Sequence, residues 1–220
     1  MSKQCLVIGI GRFGSSVAET LTELGAEVLA VDKSEERVRE VAPRVTQAIV
    51  ADATDEAVLR EIGVRNFDVV ICSMGECLEA SLLVTMLVKE LGAKRVIVKA
   101  ASEIHGRILA KVGADTVIYP ERDMGKRLAY SLLSGSIIDS IELSSDYRVV
   151  EVVVSGGLVG KTLRGLNLRN KIGVNVMAIK RGNYVNVTPD PDDPLEEGDI
   201  LVIVGENSGV ARLNQIVERG

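Results

Sequence analysis

The glycine spacing in Val7–Gly14, VIGIGRFG, restricts what this chain can fold into more than any other feature. Gly9, Gly11 and Gly14 form G-x-G-x-x-G directly after an apolar run and directly before a stretch of helical periodicity. Asp32 closes the next apolar run, about twenty residues on, where this motif places its acidic residue. Gly9 allows the tight turn from strand to helix, Gly11 lets the backbone approach a phosphate, and Gly14 lets helix and strand pack closely. The unpaired N–H groups and the dipole of that helix then face an anion. Asp32 is placed to accept hydrogen bonds from ribose hydroxyls, and its charge disfavours a 2′-phosphate. The pattern predicts an adenine-nucleotide site in which Gly9, Ile10, Gly11, Arg12, Phe13 and Gly14 surround the phosphates.

The rest of the first half fits that prediction. Short β-branched runs at Cys5–Ile8, Val28–Val31, Thr46–Val50, Val69–Cys72, Val96–Val98 and Thr116–Tyr119 alternate with segments of helical spacing, which implies a doubly wound, Rossmann-like parallel sheet. Beyond about Ser134 the rhythm changes. YRVVEVVV, VNVMAI and DILVIVG read as strands, RGNY and TPDPDDPLEEGD as turns, and SGVARLNQIV as a helix. The expected organisation is a nucleotide-binding domain with a linking helix over 1–134 and a smaller α+β domain over 135–220. MGKRLAYSLLSGSIIDSI, with apolar residues at helical spacing, is expected to join them.

Composition narrows the function classes. The 220 residues are 46% hydrophobic and carry a net charge of -5, with cationic residues scattered along the chain, so a nucleic-acid partner is not expected. No apolar run reaches the roughly 20 residues of a membrane span, and the N-terminus lacks a signal-like pattern. A cytoplasmic protein is expected. Cys5, Cys72 and Cys77 form neither a disulfide framework nor a C-x-x-C pair and read as small hydrophobes in a reducing compartment.

Arg12 lies between the second and third glycines, where its charge adds to the helix dipole; that suits the phosphate chain of ADP or ATP at least as well as the diphosphate of NAD or NADH. Asp52, in VADATD, ends the third strand and either reaches the adenosine end of a ligand or caps the helix beginning near Asp55. A dehydrogenase would need an acid or base beside the nicotinamide. His105 is the single histidine, no tyrosine is followed four residues later by lysine, and no His/Cys cluster offers zinc a site. A sensor is expected here, with an oxidoreductase as the alternative. By its own position His105 reads as a helix-surface residue.

VIGIGRFG, VLAVDKSEE, ADATDE, FDVVICSMGE, VIVKAASEIHGRIL, GADTVIYPERDMGKRLA and DILVIVG together resemble the KtrA/TrkA family of cytosolic regulatory subunits of bacterial potassium transporters, across practically the whole chain. The resemblance implies an RCK N-terminal Rossmann domain followed by an RCK C-terminal domain. It implies binding of ATP, ADP or NAD(H), assembly from dimers into octameric rings, and docking on a polytopic KtrB/TrkH-like membrane subunit that carries the ion. Residue by residue, it implies a phosphate contact for Arg12, a ribose-side segment at Asp32, Lys33 and Ser34, and an adenine-side loop at Asp52 and Ala53. Ser73, Met74 and Gly75 match the loop after the fourth strand, and Lys99, Ala100, Ala101 and His105 the start of the helix after the fifth. Glu121 matches a glutamate that approaches the phosphates from a dimer partner, with Mg²⁺ or Ca²⁺ as the bridge. In some relatives a cleft of the second domain takes cyclic di-AMP, which here implies Leu163, Leu166, Asn167 and Arg169. A nucleotide sensor with a different partner would share all these motifs.

One helix carries more apolar surface than its sheet needs. CLEASLLVTMLVKELG is apolar around most of its circumference, which predicts packing on another subunit or on the linking helix.

Overall fold

The computed structural model describes residues 2–75, 77–133 and 137–218, with the side chains of Tyr130, Ser131, Leu133 and Glu218 left aside. It divides into two compact units, residues 1–120 and 121–220. The expected boundary between Ser134 and Gly135 lies outside the described residues.

The first unit is a six-stranded parallel sheet of order β3-β2-β1-β4-β5-β6. Its strands are β1 (Gln4–Ile8), β2 (Glu27–Asp32), β3 (Gln47–Val50), β4 (Val69–Cys72), β5 (Val96–Lys99) and β6 (Thr116–Ile118). The connecting helices are α1 (Arg12–Glu23), α2 (Glu35–Val41), α3 (Glu56–Ile62), α4 (Leu78–Glu90) and α5 (Glu103–Val112). β-branched residues buried on both faces explain the near-continuous apolar strands, as in VVIC over Val69–Cys72. Leu6, Ile8, Val70 and Val98 point into one core and Val7, Ala30 and Ile71 into the other. The strand order reverses at β1, which pairs with β2 on one side and β4 on the other. In open α/β sheets the crevice beyond the strand ends at such a reversal is where ligands bind.

The second unit opens with α6 (Pro120–Leu133, its first residue closing the first unit) and continues as a five-stranded antiparallel sheet of order β10-β9-β11-β8-β7. Its strands are β7 (Ile137–Glu142), β8 (Tyr147–Val153), β9 (Val174–Arg181), β10 (Tyr184–Asn186) and β11 (Ile200–Glu206), with helices α7 (Leu163–Leu166), α8 (Leu168–Ile172) and α9 (Asn207–Glu218). Val150, Val152, Leu201 and Ile203 alternate inward and pack with Val210 and Leu213 of α9.

The linking segment departs from its expected form. Ile137, Ile138 and Ile141 continue the apparent helical spacing, yet Ile137–Glu142 is a strand, because residues 137–142 pair antiparallel with Arg148–Val152. Only that distant partner distinguishes the two readings. The apolar helix α4 buries Val84, Leu87 and Val88 and leaves Leu78, Leu83 and Met86 substantially exposed, so its surplus apolar face is real within a single chain.

Candidate functional site

A parallel sheet places the C-terminal ends of all its strands on one edge. Gly9 follows β1, Asp32 ends β2, Asp52 follows β3, Ser73 follows β4 and Lys99 ends β5. Five of the segments singled out in the sequence therefore share one edge, with Gly9 and Ser73 at the reversal.

The loop from Gly9 to Gly11 is built for close approach. Gly9 adopts φ +90°, a conformation that favours glycine, and its N–H donates to the Val31 carbonyl at 2.8 Å. A Cβ on Gly14 would lie 2.0 Å from the Gly9 carbonyl oxygen and 2.6 Å from Ser73 Oγ, so that position tolerates nothing larger than hydrogen. Gly11 differs: no atom lies within 4 Å of where its Cβ would be, which leaves open space over the loop. Gly11 is also the N-cap of α1, and no side chain caps that end. The first N–H groups of a helix have no partner within it, so at α1 they remain available to an anion. A tight cradle, open space above it and an uncapped twelve-residue helix together fit a nucleotide phosphate group.

Arg12 is the first residue of α1, exposed, with no hydrogen-bonding or ion-pair partner for its guanidinium among the described residues. Phe13 beside it lies beneath the Lys99 ammonium, 5.9 Å from the ring centroid. The Lys99 methylenes run against Gly75, where an added Cβ would meet them at 3.4–3.5 Å. The structure thus brings Arg12, Phe13, Gly75 and Lys99 to one locality.

Asp32 is buried, at 7% exposure. One carboxylate oxygen accepts from the Ile10 N–H at 2.6 Å and the other from the Ser34 N–H at 2.8 Å, with Arg37 Nη1 3.6 Å away. These contacts leave lone pairs for ribose hydroxyls, since a carboxylate offers about four acceptor sites. Arg37 escaped the sequence reading. Its signal was the capping pattern: Ser34 caps α2 by accepting from the Arg37 N–H, which puts Arg37 on the first turn beside Asp32.

Asp52 is exposed and does not cap α3. Asp55 caps that helix itself, accepting from the Ala57 N–H at 2.8 Å. Asp52 accepts instead from the N–H and hydroxyl of Thr54, at 2.9 and 2.7 Å, and those bonds hold its carboxyl below the usual range. Ala53 next to it is buried in the core.

His105 is a correction to the sequence reading. It is 4% exposed, within the first turn of α5, because Nδ1 accepts from the Ala101 N–H at 3.3 Å and turns the ring inward. Burial pushes the imidazole below its ordinary range, and Nε2 has no partner among the described residues. The adjacent Gly106 makes room for Tyr119, whose hydroxyl oxygen sits 1.9 Å from where a Cβ would be. Ala100 is buried at the end of β5, and its N–H donates to the Ile118 carbonyl. Glu121, in the first turn of α6, is exposed and belongs to the second unit. Among the described residues no group of three His, Cys, Asp or Glu side chains could hold a metal by itself.

In the second unit, Leu163, Asn167 and Arg169 line a cleft with Leu168, Val174, Asn175 and Val176, whereas Leu166 is buried in the core and stays out of that lining. Asn167 has φ +48°, the one positive φ outside glycine among the described residues. No helix is long and apolar enough to cross a membrane among the described residues.

Fold and site define a Rossmann-like unit with an open glycine loop at its strand reversal, followed by a small antiparallel α+β unit. The TrkA-N domain family matches residues 5–120 and the TrkA-C domain family residues 147–217. The chain is 43% identical over 217 residues to the Ktr system potassium uptake protein C of Bacillus subtilis, covering 99% of this chain and 98% of that one. It is 43% identical over 209 residues to the Ktr system potassium uptake protein A of Vibrio alginolyticus, covering 95% of each. A solved structure of the GsuK channel bound to NAD shares the fold, with TM-score 0.70 and 19% identity over 99% of this chain and 40% of that one. The chain belongs to the two-domain TrkA-N/TrkA-C family that contains the Ktr potassium uptake proteins.

Proposed function

We propose that this chain is the cytosolic, non-enzymatic regulatory subunit of a potassium transporter, gated by an adenine nucleotide held at the edge of its first unit. One observation carries the reading: a chain 43% identical almost end to end to a Ktr potassium uptake protein keeps an open, uncapped phosphate cradle beside a buried ribose-side carboxylate. In this reading Gly9–Gly14 and Arg12 bind the phosphates, Asp32, Lys33 and Ser34 the ribose, and Asp52 and Ala53 the adenine. Ser73, Met74, Gly75, Lys99, Ala100, Ala101 and His105 shape the opposite end of the site. ATP and ADP are favoured over NAD and NADH by the concentration of cationic groups, Arg12 and Lys99, around the start of α1.

Glu121 is acidic, so it approaches a phosphate only through a proton or a cation. Glu121 would help to hold a Mg²⁺ or Ca²⁺, which would offset the charge of nucleotide phosphates bound by another subunit. Ligands that differ in phosphate charge then favour different arrangements of an octameric ring built from dimers, and the force on a KtrB/TrkH-like membrane subunit is limited by their differential affinity. Peripheral attachment at the inner membrane face follows from that partner. Residues 135–220 act as the second domain, and the cleft at Leu163, Asn167 and Arg169 is assigned to cyclic di-AMP on the strength of its paired polar and apolar lining.

Mass spectrometry of the co-purified nucleotide, followed by titration with ATP, ADP, NAD and NADH, tests this directly. Micromolar binding of an adenine nucleotide, and nucleotide-dependent potassium flux when the chain is reconstituted with its membrane partner, are expected. Substrate-dependent hydride transfer, or no binding of any of the four, overturns it.

A further inference from the structure

The Gly9–Ile10 peptide unit is held at both ends by different strands. Its carbonyl accepts from Ser73 Oγ at 2.7 Å, and Ser73 stands at the end of β4, 64 residues away. Its N–H donates to Asp32 Oδ2 at 2.6 Å, from the end of β2. A second pair of bonds seats the anchors: the Ser73 N–H donates to the Ile8 carbonyl and the Gly9 N–H to the Val31 carbonyl, both at 2.8 Å. The clamp is close-packed as well as hydrogen-bonded. Met74 Cγ sits 2.7 Å from where a Cβ on Gly9 would be, and Ser73 Oγ 2.6 Å from where a Cβ on Gly14 would be.

A serine hydroxyl carries one hydrogen. With that hydrogen on the Gly9 carbonyl, Ser73 presents only lone pairs to its surroundings, which suit no contact with an anionic phosphate. Its position at the strand reversal therefore calls for a role other than holding the ligand. Because Ser73 donates and Asp32 accepts across the same peptide unit, each bond polarises the amide in the sense that strengthens the other.

We infer that Ser73 is a positioning residue: with Asp32 it fixes the plane of the Gly9–Ile10 peptide, and so presets the phosphate loop and the start of α1 before any nucleotide arrives. This rests on the nucleotide-binding reading above, although its first consequence appears in the ligand-free protein. The loop needs no ordering on binding, so phosphate-bearing ligands gain affinity from Ser73 without touching it. Adenosine, which lacks phosphates, gains little.

The test compares wild type, Ser73→Ala and Ser73→Thr as full-length chains. Hydrogen exchange of nucleotide-free protein should show peptides covering residues 9–15 exchanging about 3- to 10-fold faster in Ser73→Ala, with the rest of the first unit unchanged. ADP affinity should fall by a similar factor, adenosine affinity by less than about 2-fold, and Ser73→Thr, which keeps the hydroxyl, should stay close to wild type. Unchanged exchange at 9–15 in ligand-free Ser73→Ala, alongside weaker ADP binding, would overturn the inference in favour of direct contact. Faster exchange throughout the first unit would overturn it in favour of a general packing role. If wild type fails to bind ADP, the nucleotide reading fails, while the ligand-free exchange still decides whether Ser73 holds the loop.

Discussion

Two buried carboxylates, one in each unit, are satisfied in opposite ways. Asp199, before β11 and 2% exposed, is closed off by a guanidinium: Arg181 Nε and Nη2 each lie 2.7 Å from one of its oxygens, and the Glu196 N–H donates at 2.9 Å. Asp32 has no such bidentate partner. It accepts two backbone N–H groups, and the nearest cation, Arg37, stays 3.6 Å away. A planar guanidinium saturates a carboxylate geometrically, so Asp199 is complete as it stands and serves its own fold. Asp32 organises the loop before it and keeps acceptor capacity at an open edge. Burial and charge alone would not separate them; the kind of partner does.

The comparison can be broken most severely at the cradle. Gly14→Ala forces a methyl group to within about 2 Å of the Gly9 carbonyl oxygen. The first unit should lose about 1–3 kcal/mol, the usual range for overpacking, and ADP affinity should fall more than about 10-fold as the loop moves away from α1. Urea unfolding and calorimetric titration on one preparation read both. A Gly14→Ala protein with wild-type affinity would detach the loop from the site.

Neutralising each carboxylate sharpens the contrast. Asp32→Asn should weaken ATP, ADP and NAD together by about 10-fold or more, because all three carry the adenosine ribose and bonds to a charged acceptor are worth about 1.5–3 kcal/mol. Asp199→Asn should leave nucleotide affinity unchanged and lower the unfolding midpoint instead. Arg181 is 49% exposed and regains water, so the stability loss belongs at the small end of what breaking an ion pair costs.

The smallest effect is in pH dependence. Burial holds the His105 imidazole below its ordinary range, so the first unit has its full stability above the unfolded imidazole pKa of about 6.5 and loses some as pH falls through the lower folded value. The Arg181 hydrogen bonds hold the Asp199 carboxyl low, so the second unit keeps that contribution until pH falls below about 4. On acidification the first unit should weaken first. His105→Gln should remove that early slope, shifting a thermal midpoint at pH 5.5 by no more than about 2–4 °C.

What the sequence disclosed follows the range of the interactions involved. The six parallel strands were legible because runs such as CLVI and VVIC are buried on both faces and need no partner to declare themselves. The glycine loop was legible because Gly9 and Gly14 answer local steric demands, whereas Gly11 leaves open space. Strand β7 was not, since Ile137 and Ile141 fit a helix as well as a strand until β8 pairs with them. The inward turn of His105 depends on one N–H four residues earlier and on packing around the ring, and spacing encodes neither. The Ser73–Gly9 bond joins positions 64 apart, so only the assembled strand order reveals it.

Hydrogen exchange of the full chain with and without saturating ADP tests most directly whether the open edge is where the nucleotide binds. The account predicts protection concentrated at Gly9–Ser15 and Asp32–Ser34, with the amides around Arg181 and Asp199 unchanged. Protection confined to the second unit, or none at Gly9–Ser15 while calorimetry registers binding, would contradict it.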